Sequence, residues 1–443
     1  MNRFDALVIG AGPAGLATAF ALSKAGLKIQ LLEASDHAGG NAWSERFEGY
    51  LVETGPHTFR GQSKHILSLI EELGLNSELL AVDAAKARFI FRAGRLHRLP
   101  ARGLEFLSTP LLSRRAKVST LFGLLRRGRD GERSVADWFT RRFGSEFHRI
   151  LVQPMVAGIF AGDSAELDMQ RAFPNLWQQT GARGRLLPAL LRSRKGQRRG
   201  VFMLQGGFAQ LAEAMTERLN GCLRTHQKVV SIAAKSAGVY RVESASGESF
   251  ESAKLVLATP LAGLKHLLPE LLPGTKPCLE ALISASMVSV SLGGPGKSPL
   301  PAGFGALIPR SEGLRMLGVI NVSALSAERS PKDHWLATLY FGGTGDAEIL
   351  NLDDSCLLAL AELELEKLCS TPFHPLFRRV VRHTNAIPQP DLNSSRALAI
   401  LGQQIANAPG LHLAGSYLGG VSLDAAIASG FEAAAAVQKE LAA

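Results

Sequence analysis

Cysteine is scarce. Cys222, Cys278, Cys356 and Cys369 are the only four in 443 residues, and none falls in a CxxC pair or at metal-ligand spacing. That excludes a disulfide framework and a zinc module, and it fits reduced, mostly buried thiols. No apolar run reaches about 18 residues, so no bilayer-spanning helix is expected. The eleven histidines are scattered, and no nucleophile–base pair, metal cluster or close carboxylate pair stands out. Tyrosine and tryptophan number four each. With 46% hydrophobic and 20% charged residues, the composition is globular, and the length suggests two or three domains.

Charge is uneven along the chain. Lys86–Arg199 carries 24 basic and 8 acidic side chains, a balance of +16. The remainder carries 25 basic and 31 acidic, a balance of −6. Within the basic segment, Val118, Leu121, Phe122 and Leu125 recur at helical spacing between arginine pairs. That pattern suits either an amphipathic helix on an anionic membrane surface or a core-packed helix with solvated ends. No recognised nucleic-acid-binding pattern accompanies it, so nucleic acid is not an expected partner.

The amino terminus carries the clearest chemistry. Phe4–Ile9 reads as a strand buried on both faces, followed by Gly10, Gly12 and Gly15 in G-x-G-x-x-G. A helix over Leu16–Ala25 and a second strand over Lys28–Leu32 follow, and Glu33 closes the unit. This is a dinucleotide fingerprint in its required context rather than a secretory signal. The expected cofactor contacts are Gly10, Ala11, Gly12, Pro13, Ala14 and Gly15 at the pyrophosphate, with Glu33 and Ala34 at the ribose. Glu33 would repel a 2′-phosphate. A second glycine pair, Gly39-Gly40, then precedes Asn41-Ala42-Trp43-Ser44. It resembles the GG-R-x-x-S/T motif of FAD-dependent amine oxidases, with Asn41 where that motif has Arg.

Further motifs run in order along almost the whole chain. They are Glu53-Thr54-Gly55-Pro56-His57-Thr58-Phe59-Arg60, the Phe91–Pro100 hairpin, Arg142-Phe143-Gly144, Gly158–Asp163, Phe173–Leu176 and Phe202–Leu211. Gly303–Pro309, Gly318–Ile320, Leu413–Val421 and Ile427–Gly430 complete the series. Together they resemble the protoporphyrinogen oxidase family of the amine oxidase superfamily. His383 and Pro390 stand where that family has aromatics, and Ala426 stands where it has Cys.

The resemblance implies an α/β fold. A Rossmann-like FAD-binding domain (1–80, 200–258 and 395–443) would be joined by a mixed-sheet substrate domain (259–394) and an inserted, basic, mainly helical domain (81–199). Strands are expected over Gln227–Ile232 and Lys254–Leu257. A final helix over Asp424–Leu441 would turn its N-terminus toward the flavin. FAD would also meet Gly55, Pro56, His57, Val230, Gly415, Ser416, Val421 and Leu423.

As to function, the resemblance implies oxidation of a porphyrinogen in heme biosynthesis, either protoporphyrinogen IX or coproporphyrinogen III. Hydride would pass to flavin N5, and dioxygen would reoxidise the flavin to give hydrogen peroxide. No side chain is assigned as catalytic, and no metal is expected. Arg60, Gly158, Phe304, Leu307 and Tyr340 are the expected substrate contacts, with Arg60 pairing a propionate. The few Tyr and Trp argue against an aromatic cage for an amine. An amine oxidase, a flavin desaturase acting on another hydrophobic substrate, and a non-catalytic tetrapyrrole-binding flavoprotein stay as alternatives. A cytoplasmic protein, peripheral on the inner face of the cell membrane, is the expected setting, and a homodimer is compatible with the resemblance.

Overall fold

The computed structural model describes residues 3–82, 87–100, 103–126, 128, 133–181, 184, 200–235, 238–369 and 372–442. Two seven-stranded sheets organise it. In the first, Leu223–Arg224, Ile29–Leu32, Arg3–Ile9, Ser249–Leu257 and Leu411–Leu413 lie side by side and parallel. Val239–Ser244 and Val229–Lys235 add an antiparallel extension to the first half of Ser249–Leu257.

Alternation along Arg3–Ile9 decides what covers each face. Ala6 and Val8 pack under the helices Pro13–Lys24, Ala209–Arg218 and Leu423–Ala442. Leu7 and Ile9 point the other way, toward Leu261–Leu271, Lys276–Glu280 and Ser394–Ala406. Helical packing on this sheet therefore extends beyond residue 258, where the substrate domain was expected to begin.

The second sheet runs Phe377–Pro388, Ser284–Pro295, His334–Gly342, Met316–Ile320, Gly305–Leu307, Arg88–Arg92 and Arg95–Arg98. Its strands are antiparallel except where Gly305–Leu307 pairs with Arg88–Arg92. The basic segment thus opens with a hairpin on the edge of this sheet, where the Phe91–Pro100 motif implied one, and short helices follow it. Phe89 and Phe91 alternate toward the sheet's core, which draws the hairpin there. Helix Asp354–Leu368 covers one face through Leu357, Ala361 and Leu365, against Ala337, Leu339 and Phe341. Leu307, Gly318 and Tyr340 occupy the opposite register.

Short helices between 103 and 180 form a separate core around Trp138, Phe143, Val156 and Phe160. Helix Arg114–Gly123 buries Ala116, Thr120 and Gly123. Its apolar stripe faces outward instead, with Val118 52%, Leu121 47%, Phe122 62% and the following Leu125 55% exposed. The core-packed reading of this stripe is corrected: the small residues let the helix approach its neighbours closely, and the large ones are left outside. Among the described residues no helix is long and apolar enough to cross a membrane. No group of three or more His, Cys, Asp or Glu among them could hold a metal.

Candidate active site

The phosphate cradle is built by steric necessity. Gly10 turns the chain at φ +96°, and a Cβ there would press on the Ala258 carbonyl oxygen at 2.8 Å. A Cβ on Gly15 would be driven into the Gly10 carbonyl oxygen, which fixes how closely helix Pro13–Lys24 meets the strand. Gly12, by contrast, has nothing within 4 Å of its Cβ position. It is the N-cap of that helix, and no side chain caps it. The helix therefore offers backbone N–H groups and the positive end of its dipole to an open space.

The second glycine pair closes over the first. Gly39 N–H donates to the Ala11 carbonyl at 2.8 Å, and a Cβ on Gly40 would lie 3.2 Å from Gly12 Cα. Ala11 N–H donates to Glu33 Oε2 at 2.6 Å, which sets the carboxylate beside the cradle. Gln227 N–H donates to the Glu33 carbonyl at 2.7 Å, so the strand holding Val230 begins next to Glu33. Ala34, Gly40, Asn41 and Val230 lie exposed on the rim. Open space at Gly12, an uncapped helix terminus and an adjacent carboxylate suit the diphosphate and ribose of FAD.

Asn41 keeps its backbone role, since a Cβ on Gly55 would strike its carbonyl oxygen. Its amide offers the phosphates no charge. Asn41→Arg should lower the FAD dissociation constant about threefold to tenfold, as suits an exposed charge pair. Fluorescence titration of the apoprotein would check it, and unchanged affinity would show that position 41 does not reach the diphosphate.

The carboxyl-terminal motif closes the same region. Gly415 N–H donates to Ser429 Oγ at 2.9 Å, and the final helix starts at Leu423 after the turn containing Ser416. A Cβ on Gly430 would strike the Ala14 carbonyl oxygen, so that helix lies directly on Pro13–Lys24. Val421 packs on the helical core and Leu423 on the FAD-sheet core, each partly buried.

Beside the cradle lies a buried polar cluster that sequence reasoning found only in part. Glu53 and Arg329 are 2% and 0% exposed, and Arg329 Nη1 donates to Glu53 Oε1 at 2.6 Å. Arg329 Nη2 donates to the Leu204 carbonyl at 2.5 Å. Ser44 Oγ donates to Glu53 Oε2 at 2.6 Å and accepts from Ala209 N–H at 3.1 Å. Burial raises the Glu53 carboxyl pKa, while Arg329 and Ser44 act to lower it.

His57, past Gly55 and Pro56, is buried with neither ring nitrogen partnered. Burial first, and Arg329 second, push its pKa down to about 3, so the ring is neutral. A buried, unpaired donor costs about 1–3 kcal/mol. A bound molecule that satisfies it recovers that cost.

The expected substrate contacts fall in two groups. Gly158, Leu307 and Tyr340 come together, since a Cβ on Gly158 would lie 2.7 Å from Leu307 Cδ2. Tyr340 packs beside Ala157 and Ala161 and meets the His57 ring edge-on at 6.2 Å. Burial, then Glu53, raise the Tyr340 hydroxyl pKa and keep it protonated. Phe304 lies with Val201 and Ile320, and exposed Arg60 sits opposite Val201 in a small three-stranded sheet.

Sequence reasoning missed Arg88, whose guanidinium lies 5.1 Å from the Phe304 ring. Its signal was present in the hairpin, one strand from Gly305. Arg329 had no such signal, because 276 residues separate it from Glu53.

A two-sheet body with a glycine-built phosphate cradle defines an FAD-dependent oxidoreductase. The family model described as flavin containing amine oxidoreductase matches residues 13–438. Protoporphyrinogen oxidase of Bos taurus is 31% identical over 97% of this chain and 98% of its own length. The chloroplastic protoporphyrinogen oxidase of Nicotiana tabacum is 28% identical over 98% of this chain and 85% of its own length. A solved structure from Exiguobacterium sp. 255-15 superposes with a TM-score of 0.86 at 23% identity, covering 100% of this chain and 99% of that one. The chain belongs to the flavin containing amine oxidoreductases and, within them, to the protoporphyrinogen oxidase family.

Proposed function

We propose that this protein oxidises a porphyrinogen to the porphyrin in heme biosynthesis, with protoporphyrinogen IX or coproporphyrinogen III as substrate. The observation that carries this reading is the 31% identity to a protoporphyrinogen oxidase along nearly the full length of both chains. Bound FAD supplies a two-electron acceptor. Each turn removes a hydride from a meso carbon and a proton from a pyrrole nitrogen, and dioxygen takes the two electrons to give hydrogen peroxide. Three such turns, with one remaining meso proton shifting to a pyrrole nitrogen, would carry the hexahydro macrocycle to the porphyrin.

The chain's own part is binding and orientation of the substrate. Gly158, Leu307 and Tyr340 would receive the flat apolar ring, and the small side of Gly158 would admit close approach. Phe304 carries Arg88 beside it, and Arg60 stands opposite Val201. The two arginines would hold the acidic side chains of the macrocycle. No strong side-chain base is required, because the pyrrole proton can leave to solvent.

Anaerobic mixing with protoporphyrinogen IX tests the reading. Flavin bleaching with growth of porphyrin fluorescence is expected, and bound FAD that stays oxidised overturns it. Arg60→Ala should raise KM for a propionate-bearing substrate about threefold to tenfold with kcat nearly unchanged. Unaltered steady-state kinetics would show that the propionates are held elsewhere.

The exposed stripe of Val118, Leu121, Phe122 and Leu125 favours peripheral contact with an anionic membrane on the cytoplasmic side. Leu107 is 52% exposed nearby, and Arg114, Arg115 and Lys117 begin the same helix. Phe122→Glu should abolish co-flotation with vesicles containing phosphatidylserine while leaving turnover of a soluble substrate unchanged. Flotation equal to wild type would place membrane contact elsewhere.

A further inference from the structure

Arg329 closes a short turn, Ala327–Arg329, between two strands of the second sheet, yet both of its terminal guanidinium nitrogens bond to the cofactor-binding body. One guanidinium nitrogen holds Glu53, at the start of the turn containing Gly55-Pro56-His57. Another holds the Leu204 carbonyl, where the chain re-enters the FAD-binding body. Glu53 is tied in turn to Ser44, and Ser44 to the first turn of helix Ala209–Arg218. One buried cation therefore joins three chain segments that are remote in sequence.

His57 lies in that turn with both ring nitrogens buried and unpartnered. Among the described residues, the charged and titratable groups facing this ring are Arg329, from the second sheet's connecting turn, and Tyr340, from strand His334–Gly342. Glu53 lies on its own turn and acts on Tyr340. A cation beside the ring opposes a second positive charge there, and the absent protein partners leave the ring free to bond a bound molecule.

We propose that Arg329 is a positioning residue: it locks the turn of residues 53–57 between the two bodies and delivers the His57 imidazole to the bound cofactor as a neutral hydrogen-bonding ring. The inference rests on the flavin reading above. It adds that reading's polar partner and the residue that controls it. A site with a cationic His57 would draw electron density differently at every pH below the ring's titration, whereas a neutral ring keeps the flavin's surroundings constant.

The sign of the test follows from the charge. Removing Arg329 removes a repulsion, so His57 should gain a proton more easily. In protein labelled with ¹³C-histidine, NMR should show wild-type His57 neutral at every pH down to about 4. In Arg329→Gln it should titrate about 1 pH unit higher, because burial, the larger cause, remains. Arg329→Lys, which keeps the charge, should restore the wild-type behaviour. Where Arg329→Gln fails to fold, the doubly neutral Glu53→Gln/Arg329→Gln carries the same expectation.

In the FAD-loaded proteins, the flavin absorbance spectrum should be flat with pH in wild type. It should show one step in Arg329→Gln, and none in His57→Asn/Arg329→Gln. A His57 that titrates alike in wild type and Arg329→Gln overturns control by Arg329. An NMR step with no flavin step overturns delivery to the cofactor. Should the chain bind no FAD at all, the flavin reading fails, and the NMR titration of the apoprotein still decides whether Arg329 governs His57.

Discussion

Gly12→Val should weaken FAD binding at least about a hundredfold, equivalent to roughly 2.7 kcal/mol, while leaving the apoprotein folded. Gly12 has φ −68° and ψ 178°, an extended conformation that any residue adopts, and its Cβ position is clear of protein atoms to 4 Å. An added Cβ would therefore meet no protein atom within 4 Å, and the variant's bulk should fall chiefly on the ligand that the cradle receives. Gly15→Val is the matched contrast. Its Cβ would collide with the Gly10 carbonyl oxygen and press on Ala258 Cβ at 3.1 Å, so it should destabilise the apoprotein by about 1–3 kcal/mol or more. Isothermal titration of FAD and denaturant unfolding of both apoproteins separate the two effects. If Gly12→Val kept wild-type affinity, the open space beside Gly12 would not be the diphosphate site.

Breaking the Glu53–Arg329 pair should cost still more. Both side chains are out of solvent, so Glu53→Leu strands a guanidinium whose remaining bond is to the Leu204 carbonyl. Removal of one partner from a buried ion pair costs about 3–5 kcal/mol, because the surviving charge stays desolvated. The double variant Glu53→Leu/Arg329→Leu removes both charges and should recover a large part of that loss. Urea unfolding of the four proteins closes the cycle. A double variant as unstable as the sum of the two singles would show that the side chains act independently, contrary to their 2.6 Å contact.

Much of the fold was legible because its signals are local. Ala6–Ile9 and Ile29–Leu32 are buried on both faces, so they read as near-continuous apolar stretches. The final helix spans Leu423–Ala442, against the expected Asp424–Leu441. The first helix begins at Pro13, earlier than the expected Leu16, because proline suits the opening turn of a helix and lacks only an N–H that would be unpaired there.

Periodicity was less informative about partners. The stripe at 118–125 announced an amphipathic helix, but period alone cannot say which face meets protein. Ala116, Thr120 and Gly123 took the interior because close approach of Gly123 to the Arg142 carbonyl leaves no room for a side chain. The Phe91–Pro100 hairpin was legible from the family motif, but its place on the second sheet came only with the pairing of Arg88–Arg92 to Gly305–Leu307.

The sequence by itself determined the dinucleotide site. Gly10, Gly12, Gly15 and Glu33 lie within one βαβ unit, where spacing along the chain translates directly into spacing around a turn. The family followed from motifs that keep their order along the whole chain. Tertiary structure alone decided the polar core of the site. Arg329 joins Glu53 across 276 residues, and no local pattern marks a buried cation before its carboxylate is in place. The same holds for the unpartnered ring of His57, since a histidine's charge is set by the burial and neighbours that only the closed fold supplies.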